Sequence, residues 1–190
     1  MSVVGLYGGS FDPPHVGHLL LGDYVLATGE IEGLLLVPAH RHAFGKGVAP
    51  FHERVAMTRL LATAIGPEAE VSEIEAELPS PSRTLATLQE LSKRRPDDEF
   101  RLVVGEDVLS ERHDWHGWDQ ILEIAPLLVV GRHWAEAPVG VRRPEIKLPM
   151  VSSTEIRARL AAGDDASALV PTTILRHIRE KGLYGVPEWL

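Results

Sequence analysis

The chain of 190 residues carries a formal net charge of −8, with 44% hydrophobic and 24% charged residues, which is enough apolar material for one core and too little length for two full-sized domains. The acidic balance excludes a protein that coats nucleic acid non-specifically, because that needs a broad cationic face, but it leaves room for a local phosphate pocket. No run approaches the ~20 apolar residues of a membrane span, and the absence of cysteine removes disulfides, thiolate nucleophiles and Cys-ligated zinc.

In chain order, Ser2 to Tyr7 is a short apolar run ended by Gly8-Gly9, and a helical pattern runs from about His15 to Thr28. Leu34 to Pro38 reads as a buried strand, and a His-, Gly- and Pro-bearing loop then leads to a helix over Phe51 to Ile65. The pattern predicts a strand at Ala69 to Ile74, a helix at Thr84 to Arg94 and a strand at Phe100 to Val104. A short helix at Trp118 to Ile124 and strands at Leu127 to Val130 and Glu145 to Leu148 follow. The tail reads as helices over Thr154 to Ala162 and Pro171 to Lys181. Strands with apolar residues on both faces, alternating with amphipathic helices, imply a doubly wound α/β fold with a parallel sheet. With no linker or repeat, the expectation is a single domain over 1–190, with 152–190 as its small C-terminal helical part. The opening residues lack the basic start of a secretory signal, so the expected location is cytoplasmic.

The stretch Gly8-Gly9-Ser10-Phe11-Asp12-Pro13-Pro14-His15-Val16-Gly17-His18 carries the chemistry. Glycines after a strand let the backbone approach a ligand, and in a doubly wound sheet ligands bind at the carboxyl ends of strands. His15 and His18 share one face at a helix start, where amide donors and the dipole favour an anion. A phosphate-laden histidine is then expected in its cationic form. Without a ligand in view, the same residues are a turn in which Asp12 caps the helix and the prolines fix its first turn. A metal site is not expected, for no third ligand stands at useful spacing.

This stretch resembles the nucleotidyltransferase signature Gly-x-Phe-Asp-x-x-His-x-Gly-His at every fixed position: Gly9, Phe11, Asp12, His15, Gly17 and His18. A second stretch, Val151-Ser152-Ser153-Thr154-Glu155-Ile156-Arg157, is on bare physics a capping box in which Ser152 and Glu155 start a helix, and its hydroxyls, amides and Arg also suit an anion. It resembles the Ile-Ser-Ser-Thr-x-Ile-Arg element of the same superfamily, which binds the distal phosphates of a nucleoside triphosphate. Gly105-Glu106-Asp107 looks like the Gly-x-Asp element that contacts adenosine. Trp115 matches the tryptophan that nicotinate mononucleotide adenylyltransferases place against the pyridine ring, whereas the bland alternative makes it or Trp118 a core residue. Thr84 to Leu88 resembles a segment lining the same pocket. The tail through Gly182-Leu183-Tyr184 is similar to the C-terminal helices of that adenylyltransferase family.

The resemblance implies a Rossmann-like adenylyltransferase that transfers AMP from ATP to nicotinate mononucleotide, giving deamido-NAD and pyrophosphate in NAD biosynthesis. It implies catalytic roles for His15, His18, Lys46 and Arg157. ATP would meet Gly8, Gly9, Ser10, Phe11, His18, Gly105, Asp107, Ser152, Ser153, Thr154 and Arg157, and the acceptor Lys46, Thr84, Trp115 and Arg132. Mg2+ would travel with ATP. Where the family usually has Pro-Pro-His-Lys, this chain has His40-Arg41-His42-Ala43-Phe44-Gly45-Lys46, and His133-Trp134 stands where Pro-Gly is expected. These departures lie at acceptor recognition and leave open nicotinamide mononucleotide or phosphopantetheine as acceptor. A non-catalytic nucleotide-binding module is the alternative from another class. No nucleic-acid or membrane partner is expected, a homo-oligomer is compatible with the sequence, and Arg83, His113 and His116 receive no role.

Overall fold

The computed structural model describes residues 2–40, 49–79, 83–109, 112–130 and 149–187, with the side chains of Glu106 and Asp107 outside that description. The strands are β1 (Ser2–Gly9), β2 (Gly33–Pro38), β3 (Ala69–Val71), β4 (Asp98–Gly105) and β5 (Leu127–Val130). The helices are α1 (Val16–Ala27), α2 (Phe51–Ile65), α3 (Thr84–Arg94), α4 (Trp118–Ile124), α5 (Ser153–Ala162) and α6 (Thr172–Glu180). The strands form one sheet in the order β3-β2-β1-β4-β5, with each neighbouring pair parallel. This is the doubly wound α/β fold.

Side-chain alternation along the strands separates two cores. Leu34, Leu36, Val103, Leu128 and Val130 meet α1, α2, α5 and α6 on one face. Val4, Leu6, Leu35, Val37, Leu102, Val104 and Val129 meet α3 and α4 on the other. Strands covered on both faces must be apolar at successive positions, which is why Leu-Leu-Leu-Val and Leu-Val-Val runs fill the sheet's centre. Gly5 interrupts β1 because a side chain there has no room: its Cβ would sit 2.6 Å from Ile31 Cδ1.

The strand predicted over Ala69 to Ile74 is shorter than expected. The Ser72 amide still bonds to Leu36 carbonyl, but Ile74 reaches the core from a 3-10 turn, Ile74–Ala76, instead of from the strand. The strand predicted at Glu145 to Leu148 lies outside the described residues. Among the described residues no helix is long and apolar enough to cross a membrane.

Topology places a crevice at the centre of the sheet. β1 and β4 pair only as far as Leu6 with Leu102. Beyond that, β1 continues along β2 to Gly9–Pro38, while β4 continues along β5 to Gly105–Val130. The two central strands therefore part company at their carboxyl ends, the switch point at which such sheets take ligands.

Candidate active site

The loop leaving β1 turns back into α1 by burying its own side chains. Phe11 takes a left-handed backbone conformation (φ 49°), and its ring packs edge-on to Tyr7 at 5.6 Å and against His18 at 5.1 Å. With that ring in the core, any contact of Phe11 with a ligand falls to its main chain. Gly8, Gly9 and Ser10 stay accessible at the strand end, and the Ala39 amide donates to Gly9 carbonyl at 2.9 Å, fastening the ends of β1 and β2 together.

The two histidines form one unit. His15 occupies the N-cap of α1, and its backbone N–H donates to Nδ1 of His18 at 3.1 Å. The rings lie 3.7 Å apart between centroids, inclined by 34°. Gly17 makes this possible, because a Cβ there would stand 3.0 Å from Cε1 and Nδ1 of the His15 ring. Burial holds the His18 pKa well below its ordinary value, and the neighbouring His15 pushes in the same direction. With Nδ1 accepting a hydrogen bond, the proton of the neutral ring sits on Nε2. Within the protein alone, burial and His15 thus favour the neutral ring of His18, with Nε2–H free to donate; the cation expected from sequence is that of a histidine in contact with phosphate.

Asp12 does not cap α1. It is 1% exposed, and its Oδ1 accepts from the Ala49 amide at 2.9 Å and from the Tyr184 hydroxyl at 2.8 Å. Its Oδ2 lies 3.3 Å from Nη1 of Arg157. That same Nη1 donates to Asp12 carbonyl at 2.7 Å, and Ser153 Oγ donates to Pro13 carbonyl at 3.0 Å. The second motif therefore touches the first, although 140 and 145 residues separate the partners. Arg157 Nη2 also donates to Thr154 Oγ1 at 3.2 Å.

Ser152 caps α5 through Glu155 N–H at 3.1 Å. The reciprocal half of the predicted box is not made, because Glu155 instead accepts from Arg159 one turn on. Ser152 and Thr154 are exposed and Ser153 is half-buried, so the start of α5 offers accessible hydroxyls and amides beside the loop after β1.

On the other side of the crevice, Gly105 ends β4 and Asp107 follows in the turn Glu106–Leu109. Thr84 opens α3 and is half-buried, with Arg83 exposed before it. Trp115 and Trp118 are both partly buried, pack against the core on the α3 and α4 face and meet edge to face, centroids 5.7 Å apart. His113 and His116 are exposed. Lys46 and Arg132 lie outside the described residues, as do the other residues of the two departing loops apart from His40.

Sequence reasoning missed two residues that organise this site. Arg54, 3% exposed, donates from Nε to Ala49 carbonyl at 3.1 Å, from Nη1 to Ser10 carbonyl at 2.8 Å and from Nη2 to His40 carbonyl at 3.2 Å. Its only signal was an arginine on the apolar stripe of α2, next to Val55, one turn before Met57 and Thr58 and two turns before Leu61. Burial lowers its pKa, and Asp12, Tyr184 and Glu75 oppose that effect. Tyr184, the second, stands out in the sequence only as part of the tail that resembles the family's C-terminal helices, and nothing there points to its bond with Asp12.

The cytidylyltransferase-like family matches residues 6–159. A probable nicotinate-nucleotide adenylyltransferase of Anaeromyxobacter dehalogenans is 45% identical over 184 residues, 95% of this chain and 96% of that protein. One of Thermus thermophilus is 37% identical over 184 residues, 95% of this chain and 98% of its own length. Among solved structures, a Plasmodium falciparum nicotinic acid mononucleotide adenylyltransferase complexed with NaAD superposes with a TM-score of 0.80 at 19% identity, covering 98% of both chains. At that identity the likeness speaks for the fold.

Proposed function

The chain belongs to the cytidylyltransferase-like family, and from that premise we propose that it is a nicotinate-nucleotide adenylyltransferase acting at the crevice between β1 and β4. The observation that carries this reading is the meeting of the two motif stretches. Arg157 and Ser153 bond to the main chain of Asp12 and Pro13, so the hydroxyls and amides at the start of α5 stand next to the loop that bears His15 and His18. A ligand with several phosphates fits such a pair of anion sites better than one with a single phosphate.

In the proposed reaction a phosphate oxygen of the mononucleotide attacks the α-phosphorus of ATP. The new bond is O–Pα; the bond from Pα to the bridging oxygen breaks, and pyrophosphate leaves with those electrons. Catalysis is then positioning plus stabilisation of charge on the α-phosphate oxygens, with no covalent enzyme intermediate required. His18 supplies Nε2–H to those oxygens, and its low pKa suits a neutral donor already aimed before charge develops. His15 holds the His18 ring by its amide and by stacking, and can present its own ring to the phosphates. Gly8, Gly9, Ser10 and Phe11 would line the phosphates with main chain, and Ser152, Ser153, Thr154 and Arg157 would take the distal phosphates. Gly105 and Asp107 would meet the adenosine.

Thr84 and Trp115 would meet the acceptor, with Lys46 and Arg132 as further candidates. Mg2+ enters as part of the substrate, chelated by the triphosphate, where it neutralises phosphate charge. Among the described residues no group of three or more His, Asp or Glu side chains is arranged to hold a metal, and none is assigned to it. A cytoplasmic location suits substrates of this kind.

The test is pyrophosphate release from magnesium ATP by the purified chain, with nicotinate mononucleotide, nicotinamide mononucleotide and phosphopantetheine supplied separately. The expected result is a strong preference for nicotinate mononucleotide, abolished in a folded His18→Ala variant. Preference for another acceptor overturns the substrate assignment, and ATP binding without pyrophosphate release from any of them favours a binding module.

A further inference from the structure

The C-terminal turn reaches the first loop through a single hydroxyl. Tyr184 lies in the turn Leu183–Gly185, between Gly182 (φ 58°) and Gly185 (φ 80°), and itself has φ 58° and ψ 28°. A tyrosine in the left-handed region is held there against its backbone preference. What holds it is a ring half-buried on the core shared with α5 and α6, and the bond from its hydroxyl to Oδ1 of Asp12 at 2.8 Å. Burial and the nearby Asp12 charge both raise the phenol's pKa, so it remains a donor throughout the working pH range.

The partner oxygen matters more than the bond itself. Oδ1 of Asp12 also accepts from the Ala49 amide, so two donors on different segments fix the plane of a carboxylate that is 1% exposed. The other oxygen is thereby turned to Nη1 of Arg157 at 3.3 Å. Arg157 meets Asp12 twice, by an ion-pair contact with Oδ2, which accepts no hydrogen bond, and by a hydrogen bond to the carbonyl. Rotation of the carboxylate would loosen the guanidinium, leaving it the carbonyl and Thr154 Oγ1 as its partners in this network. Nothing in apolar packing requires a hydroxyl at residue 184; phenylalanine would fill the same space.

We propose that Tyr184 is a positioning residue for the triphosphate of ATP: its hydroxyl orients Asp12, Asp12 orients Arg157, and the C-terminal turn thereby sets the distal-phosphate contact. This inference rests on the adenylyltransferase reading and extends it to a residue outside both motifs. It makes ATP affinity, and not acceptor affinity, depend on the tail.

The experiment is Tyr184→Phe in the full chain, read by steady-state kinetics in each substrate and by equilibrium binding of ATP. Losing one hydrogen bond to a charged group should raise KM and Kd for ATP about tenfold. The acceptor KM should stay within about twofold and kcat within about threefold, the pattern of lost ground-state positioning. In an Arg157→Ala background the same substitution should change ATP affinity no further, because the residue acts through that arginine. Leu183→Ala, which trims the turn's packing but keeps the hydroxyl, should lower the melting temperature and leave ATP KM in place. Unchanged ATP affinity in Tyr184→Phe overturns the proposal while the adenylyltransferase reading stands. So does an equal effect in the Arg157→Ala background, an equal ATP defect in Leu183→Ala, or a Tyr184→Phe chain that fails to fold. A parent chain without affinity for ATP overturns both readings.

Discussion

Replacing Arg54 by methionine isolates what a buried guanidinium does for the site. Three carbonyls, of Ser10, His40 and Ala49, each lose their donor, and they belong to the chain after β1, the chain after β2 and the entrance to α2. Hydrogen bonds to a charged group contribute roughly 1.5–3 kcal/mol each, so the three sum to about 5–9 kcal/mol gross. Against this stands the desolvation of the guanidinium, several kcal/mol, which methionine does not incur. Burial lowers the Arg54 pKa against the opposing influence of Asp12, Tyr184 and Glu75, in line with that cost. The balance is a loss of about 2–4 kcal/mol, with the largest share from the buried Ala49 carbonyl and less from the part-buried carbonyls of Ser10 and His40. For a chain of this size that is a fall in Tm of roughly 5–15 °C. Differential scanning calorimetry measures the fall, and Arg54→Lys should recover only part of it, because one ammonium cannot span three diverging carbonyls. A methionine variant melting within a degree or two of the parent refutes the reasoning: the guanidinium would then hold nothing that apolar volume cannot.

Two other substitutions separate function from folding. Gly17→Ala puts a methyl 3.0 Å from the His15 ring and should displace it by a few tenths of an ångström; turnover falls on the order of tenfold through misplacement, while Tm holds or rises because alanine suits a helix better than glycine. Full turnover in that variant removes the stacked pair from the mechanism. His18 makes its own contribution to the pH dependence of stability. Its folded pKa lies well below the ordinary histidine value of about 6.5, so between that value and its lower folded pKa the unfolded chain binds more protons and the fold loses stability as pH falls. His18→Gln should therefore lose less stability than the parent from pH 7 to pH 5 in urea titrations, and parallel losses in the two proteins contradict a depressed pKa.

Much of this fold can be read in the chain because most of its elements are local. The helices at Phe51–Ile65, Thr84–Arg94 and Trp118–Ile124 and the strand at Leu127–Val130 begin and end where pattern and turn residues put them. Ile74 misled because an apolar residue after a strand looks like one more strand residue, and only tertiary structure shows it reaching the core from a 3-10 turn. Asp12 misled for a related reason. An aspartate before Pro-Pro is a good cap by local rules, but its true donors are the Ala49 amide and the Tyr184 hydroxyl, 37 and 172 residues away.

The same division runs through the candidate site. Groups proposed to meet phosphate sit at strand ends and helix starts, where a glycine, a cap or a paired histidine leaves a mark within a few residues. Groups that hold those segments in register bond to carbonyls and to a carboxylate, and such acceptors give the donor's sequence no pattern of its own. Arg54 joins three segments and Tyr184 joins a fourth to the same loop, each by long-range bonds. A motif can therefore survive intact in a chain whose crevice has lost its geometry. Activity is then a property of the pairing between motif and scaffold, and variants at Arg54 and Tyr184 measure that pairing where variants at His15 or His18 measure only the motif.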